Sequence, residues 1–487
     1  MQTNKNGKLY AAFKAKDMRF DGRIFIGISS TGIYCRPVCR AKMPLEKNCT
    51  FYRSAAEAEQ AGYRPCLLCR PELAPGIAIV DATASLAQKA MRFLEENCGS
   101  GENLESIAEK LGCTGRHLRR AFTAEYNVSP VQYLQTCRLL LAKSLLTDTN
   151  LSVLEVAMAA GFGSLRRFND LFKKKYNLSP VALRKQAKED KKIKSNITIN
   201  LSYHPPYKWQ EILDFLKQRA IFGVETVQDG QYSRTVSIIS PRQKQLYGWI
   251  QVKDYPDKNA LSVTIAASLL PALPQVLSHI RQLFDLRCDP HIIYESLSQM
   301  NDIRPGLYSP GTRLPGCFDA FEMAVRAVLG QQITVKAACT LAARMAQKYG
   351  TPVETEIKGL THTFPSCNDI LNLPGTIGDN LGPLGIIGTR AKTILELAKA
   401  FANADIHFDI CARPDVEIKK LKAIPGIGNW TAEYIAMRAM GWPDAFLETD
   451  AGIKKALSPL TAKEMLKLAE SWRPWRSYAT ISLWNSL

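Results

Sequence analysis

Two hydrophobic periodicities divide the chain. From Ile197 onward, apolar and polar residues alternate in ITINLSY, SRTVSII, LYGWIQV and ALSVTIAA. This period of two buries one face of a strand, so these segments predict antiparallel strands. Trp209 to Arg219 (WQEILDFLKQR) and Leu273 to Leu283 have helical spacing and are expected to pack beside them. Further on, the spacing is helical throughout. It predicts helices over Phe318 to Tyr349, Arg390 to Ala404, Val416 to Lys422, Trp430 to Met440 and Ala462 to Trp472, with breaks such as LPGTIGDNLGPLGIIG between them.

The front is also helical, and it repeats itself. Leu104 to Pro130 recurs as Val153 to Pro180, offset by 49 at Ala108/Ala157 and Gly112/Gly161 and by 50 at the closing Tyr-Asn-x-Ser-Pro. Ala followed four positions later by Gly lets two helices approach across a short turn, as in a helix-turn-helix. Each copy supplies one recognition helix, expected to begin near Gly115 and Ser164. The first carries Arg116, Arg119 and Arg120. The second carries Arg166 and Arg167, with Lys173, Lys174 and Lys175 at its end. Leu118, Phe122, Phe168 and Phe172 recur at helical spacing and belong to the core, not to base stacking.

With 487 residues, the chain has room for several domains. The expected fold class is multidomain and mainly α with α+β parts. The expected divisions are a small zinc domain at 1–78, a double helix-turn-helix at 79–186, a charged linker at 187–196, an α+β subdomain at 197–289 and a helical domain at 290–487. Apolar runs long enough to span a bilayer and a signal-peptide core are both absent, so the expectation is a cytoplasmic, nucleoid-associated protein with no membrane partner. The net charge of +18 points to a polyanion, and it is concentrated in front: residues 1–195 carry 32 Lys and Arg against 18 Asp and Glu.

In a reducing compartment the thirteen cysteines favour metal ligation over disulfides. Cys35-Arg-Pro-Val-Cys39 and Cys66-Leu-Leu-Cys69, 26 residues apart, can converge on one tetrahedral Zn²⁺. On spacing alone this is a closed structural site. Cys49 has no partner spacing, and neither His362 nor His407 has ligand spacing.

The words around those cysteines, STGIYCRPVCRAK and FYRSAAEAEQAGYRPCLLCRP, resemble the amino-terminal domain of the Ada family. The resemblance implies that zinc-bound Cys35 accepts a methyl group irreversibly from a DNA methylphosphotriester. Zinc would keep the sulfur deprotonated, and methylation would lower the site's negative charge and its repulsion from DNA. Leu67-Leu68 departs from the family, where basic residues occur. The doubled helix-turn-helix resembles the AraC-type DNA-binding domain. That implies phosphate and base contacts from Arg116, Arg119, Arg166 and Arg167, with RNA polymerase as a candidate partner. The chain has no Pro-Cys-His-Arg motif, so the O6-methylguanine transferase of Ada is not expected.

The stretch from Leu421 to Lys454 concentrates the remaining chemistry. Pro425-Gly426-Ile427-Gly428 predicts a tight turn between two short helices, its amides open to a DNA phosphate. Taken alone, it also fits an ordinary helix-helix turn. Trp430 and Tyr434, four apart on the next helix, share a face that could wall a pocket, with Asp450 as the acid beside it.

From HPPYKWQEILDFLKQRAIFGVETV to SWRPWRSYATISLW, this half resembles 3-methyladenine DNA glycosylase II, the AlkA type with a helix-hairpin-helix fold. The resemblance implies hydrolytic excision of alkylated purines from double-stranded DNA, with Asp450 as the catalytic acid and Trp430, Tyr434 and Trp484 as the aromatic pocket. It also implies a monovalent cation on the carbonyls of Lys422, Ile424 and Ile427. A fixed carboxylate suits this reaction because N-glycosidic cleavage builds positive charge on the sugar. Two positions depart from the family. Gln332 stands where a bulky apolar wedge fills the gap left by the flipped base, and Ala451 follows the catalytic acid where close relatives carry Tyr. Trp430 stands where lyase-competent relatives carry Lys, so a monofunctional glycosylase is expected. The reading is thus a monomeric fusion of methyl-acceptor, regulator and glycosylase. Its competitor is a transcriptional regulator whose glycosylase-like half only binds DNA.

Overall fold

The computed structural model describes residues 3–74, 86–99, 103–187, 196–240, 243–408 and 412–487. The 78/79 boundary and nearly all of the expected linker at 187–196 lie outside them. None of the described helices is long and apolar enough to cross a membrane.

The front is built on a small sheet with the order β3-β1-β2-β4: β1 Phe25–Ile28, β2 Ile33–Cys35, β3 Cys49–Tyr52 and β4 Arg64–Pro65. β1 pairs antiparallel with β2 and β3, while β2 and β4 run parallel, with Tyr34 beside Pro65. This register brings Cys35, at the end of β2, next to Cys66, just beyond β4. A helix at Thr3–Lys14, which the sequence reading did not anticipate, contributes Phe13 to the same core as Ile26 and the cysteines.

The two helix-turn-helix copies share their local geometry. The recognition helices Gly115–Tyr126 and Leu165–Tyr176 are N-capped by the hydroxyls of Thr114 and Ser164 and end on left-handed Asn127 and Asn177. Asn tolerates this conformation better than most residues, and each Tyr-Asn-x-Ser-Pro is therefore a helix stop followed by a new start. Leu118, Phe122, Phe168 and Phe172 are fully buried, while Arg116, Arg119, Arg166 and Arg167 are exposed.

The second sheet has the order β5-β9-β8-β7-β6 and is antiparallel throughout: β5 Ile197–Ser202, β6 Glu225–Gln228, β7 Gln231–Ile239, β8 Gln245–Tyr255 and β9 Ala260–Ile265. β6, only four residues long, is too short to register as alternation. The sheet's core is not confined to 197–289. It includes Leu139 and Leu145 from the helix Pro130–Asp148 that joins the two helix-turn-helix copies, Phe172 from the second copy, and Ile293, Met437, Trp472 and Leu483 of the helical region. A separate core, with Val325, Met345, Ile394 and Leu421, holds the rest of the helical region together.

One helical expectation is corrected. Phe318 to Tyr349 is not one helix but two, Ala320–Leu329 and Val335–Tyr349. Gly330 caps the first, the Thr334 hydroxyl caps the second by accepting from the Ala337 amide at 3.2 Å, and between them Gln332 takes φ +56°. Apolar periodicity continues across this break and conceals it. The segment predicted as Ala462 to Trp472 likewise ends as a helix at Ala469, and Glu470–Trp472 is a 3₁₀ turn.

Candidate active site

The hairpin joins the helices Pro414–Ala423 and Asn429–Ala439. Gly426 has φ +92°, and a Cβ placed there would lie 2.1 Å from Thr393 Oγ1. That hydroxyl donates to the Pro425 carbonyl at 2.7 Å, so the turn rests directly on a neighbouring helix. Gly428 differs. Nothing lies within 4 Å of its would-be Cβ, and the chain there faces open space. Of the three carbonyls expected to hold a cation, that of Ile424 accepts from the Ile427 amide at 3.1 Å.

Gln331 links this hairpin to the break between the two helices. Its Nε2 donates to the Gly426 carbonyl at 2.8 Å and to Thr431 Oγ1 at 3.0 Å, while Arg390 donates to the Gln331 carbonyl. Gln332, next in the chain, is left exposed at the rim of a cavity of about 1450 Å³.

Asp450 lies in that cavity as the N-cap of the helix Ala451–Ala456. Its Oδ1 accepts from the Ile453 amide at 3.0 Å and from Trp484 Nε1 at 2.9 Å, and its Oδ2 accepts from Trp430 Nε1 at 3.2 Å. Both oxygens are thereby oriented. Gly452 leaves room for this, since a Cβ there would stand 2.9 Å from Trp484 Cδ1 and 3.0 Å from Asp450 Oδ1. The aromatic walls are continuous. Trp430 stacks on Tyr434 at 5.1 Å and 8°, Tyr434 meets Trp484 at 6.4 Å, and Trp484 stacks on Phe215 at 6.3 Å.

Among the lining residues that the sequence does not reveal are Phe215, Arg219 and Arg438. Phe215 falls in the apolar rhythm of WQEILDFLKQR and looks like any core residue. The Arg219 guanidinium lies 3.8 Å over the Phe215 ring, and buried Arg438 donates to the Tyr434 hydroxyl at 2.9 Å and to the Gly316 carbonyl at 3.0 Å. Burial alone would push the Tyr434 phenol up, but the guanidinium groups of Arg438, Arg219 and Arg326 outweigh it and hold the phenol below its ordinary value.

The other cluster is far from this cavity in sequence. The ligand atoms of Cys35, Cys39, Cys66 and Cys69 all lie within 4.8 Å of one another. The first three are buried and Cys69 is half-buried, while the Arg36 amide points at Cys69 Sγ from 3.3 Å. Four thiols converging on one point fit a tetrahedral thiophilic ion such as Zn²⁺. Cys49, in the same domain, stands apart with its thiol on the Leu45 carbonyl at 3.5 Å.

Sequence comparison places these pieces. Four family models match in order: metal binding domain of Ada at 8–72, helix-turn-helix domain at 107–186, AlkA N-terminal domain at 198–319, and HhH-GPD superfamily base excision DNA repair protein at 325–470. A probable bifunctional transcriptional activator/DNA repair enzyme AlkA from Mycobacterium tuberculosis is 34% identical over 99% of this chain and 96% of its own length. The chain belongs to this family of bifunctional activator/repair proteins. DNA-3-methyladenine glycosylase 2 of Escherichia coli is 36% identical over 58% of this chain and 95% of that enzyme. The bifunctional activator/repair enzyme Ada of the same organism is 36% identical over 26% of this chain and 34% of its own length. In this family's terms, the cysteine cluster lies within the Ada metal-binding match, while Asp450, Trp430 and Tyr434 lie within the HhH-GPD match.

Proposed function

We propose that this AlkA-type DNA glycosylase excises alkylated purines with Asp450 as its catalytic carboxylate. The observation that carries the reading is that Trp430 and Trp484 wall the pocket and also hold the two oxygens of Asp450. A base stacked on these rings therefore has its sugar beside a carboxylate that cannot turn away. As the C1′–N bond breaks, the electron pair leaves with the base and positive charge grows on the sugar. The fixed carboxylate stabilises that charge, and water adds at C1′ with loss of its proton. A base methylated at N3 or N7 is cationic before cleavage and departs neutral, so protonation by a second acid is not required. Electron-rich ring faces attract such a base as well.

Gly426 and Gly428 present the hairpin to a phosphate, the carbonyls of Lys422, Ile424 and Ile427 would hold a monovalent cation, and Gln332 enters the gap left by the flipped base. Trp430 offers no amine for a Schiff base, so the product is an abasic site without strand cleavage.

In front, Cys35, Cys39, Cys66 and Cys69 would hold Zn²⁺, which when bound keeps the sulfurs as thiolates. Cys35 Sγ attacks the methyl carbon of a methylphosphotriester, the C–O bond breaks, and the phosphate leaves as a diester anion. The recognition helices place Arg116, Arg119, Arg166 and Arg167 on DNA, and a monomer acting with RNA polymerase completes the regulatory side.

The deciding experiment compares wild type with Asp450→Asn. Wild type releases 3-methyladenine from methylated duplex, and the variant, which keeps an N-cap acceptor, loses roughly 10²-fold or more in single-turnover rate with its melting temperature preserved. Equal rates would leave the regulator-only reading standing.

A further inference from the structure

Phe222 is 79% exposed, the most exposed large apolar side chain among the described residues. Its backbone is nevertheless firmly held. Ile221 and Val224 on either side are fully buried, and the amides of Val224 and Glu225 donate to the Ile221 carbonyl at 3.0 and 2.8 Å. Gly223, at φ +88°, accepts at its carbonyl from Thr361 at 2.7 Å and His362 at 3.1 Å. With Ile221 and Val224 buried and the Gly223 carbonyl hydrogen-bonded, the Phe222 ring is presented to solvent on a fixed turn.

The ring borders a groove of about 660 Å³ running along the helix Val335–Tyr349 as far as Gln347; the helix starts three residues after Gln332. Val335, itself 45% exposed, adds apolar surface, and Lys336 and Arg344 are exposed cations. The lining of the groove contains no acid, and Gln218, Val335 and Cys339 line both the groove and the cavity of Asp450. An aromatic face flanked by cations is the chemistry that holds an unstacked base and its phosphates.

We propose that this groove is a second DNA-contact surface continuous with the active site. Phe222 stacks on a base beside the position emptied by flipping, and Lys336 and Arg344 pair with the phosphates of that strand. The inference rests on the glycosylase reading of the cavity. Duplex DNA is favoured over a protein partner by the cationic lining and by continuity with the cavity that admits the flipped nucleotide.

The test uses the full-length protein and Phe222→Ala, a surface change whose folding is checked by melting temperature. Two readouts are taken: the half-saturating protein concentration in single-turnover excision, and the fluorescence of 2-aminopurine placed next to or opposite a non-cleavable abasic analogue. The second needs no catalysis. Failure of the glycosylase reading would therefore appear as absent excision by wild type, and failure of the groove as an unchanged 2-aminopurine signal. The expected result is a rise of about tenfold in half-saturation and loss of the 2-aminopurine change, both restored by Phe222→Trp. Lys336→Gln should reduce the salt dependence of binding to the abasic duplex by about one ion. Unchanged readouts in Phe222→Ala, or a change confined to oligomeric state, would overturn the proposal.

Discussion

Trp484 donates its indole N–H to Asp450 Oδ1 at 2.9 Å while its ring stacks on Phe215. One side chain thus fixes both the carboxylate and the pocket wall. Trp484→Phe separates these tasks, keeping the ring and removing the donor. Loosening the orientation of the reacting carboxylate should lower single-turnover excision by about tenfold or more, and the lost bond should cost about 1.5–3 kcal/mol of stability at most. Trp430→Phe, which removes the longer 3.2 Å bond, should cost less. A Trp484→Phe rate within twofold of wild type would show that the carboxylate is held adequately without it.

The two hairpin glycines should respond differently. In Gly426→Ala the new methyl would collide with Thr393 Oγ1 at 2.1 Å in a left-handed backbone, so the hairpin must shift off the Thr389–Ala402 helix. Loss of stability and of DNA binding together is expected, of order 1–3 kcal/mol in melting experiments. Gly428→Ala meets open space at φ −87° and should fold normally, with any loss confined to DNA affinity. Equal melting temperatures for the two variants would contradict this division.

Both sites were largely readable from sequence because their residues sit in short, stiff contexts. Pro-Gly-Ile-Gly admits few backbone paths, and two Cys-x₂₋₃-Cys pairs have the spacing of a metal site. The pocket floor was not readable. Arg438 lies on the same helix as Trp430, but its partner Gly316 is 122 positions away in sequence, and no local pattern encodes that contact. The Gly330–Thr334 break was concealed for a different reason. Its flanking helices are apolar on compatible faces, so periodicity runs through, and only the caps mark the interruption. The packing of the second helix-turn-helix against the sheet was likewise invisible, because period identifies a buried face without naming what covers it.

Glu59 gives the front half a pH dependence. It is buried, accepts from Tyr34 Oη at 3.1 Å and Thr136 Oγ1 at 3.0 Å, and has Lys175 Nζ 3.9 Å away. Lys175 therefore packs toward the zinc domain, whereas Lys173 and Lys174 are exposed. Burial pushes the Glu59 carboxyl up from 4.5 to about 6 despite Lys175, Thr136 and Tyr34. The folded state then binds more protons than the unfolded one between these values. Glu59's contribution to stability is fully present below about 4.5 and is lost as pH rises through about 6, roughly 2 kcal/mol in all. Glu59→Gln should flatten this part of the melting-temperature profile between pH 4.5 and 7, and an identical slope in wild type and variant would remove Glu59 as its source.

The cysteine cluster allows composition and acceptor to be tested separately. Purified protein should contain about one zinc per chain, and replacing Cys35, Cys39, Cys66 or Cys69 by Ala should lower that content, because each supplies one of four converging sulfurs. Cys49→Ala is the matched control. It sits on β3 of the same sheet but outside the cluster, and should retain zinc. Because Cys35, Cys39 and Cys66 contribute to the small apolar core with Phe13 and Ile26, chelation should also loosen the front domain, seen as faster proteolysis within residues 3–74. After incubation with DNA bearing methylphosphotriesters, peptide mass spectrometry should place one methyl group on Cys35. A methyl on Cys69, the most exposed of the four, would move the acceptor to that sulfur while leaving the zinc assignment intact.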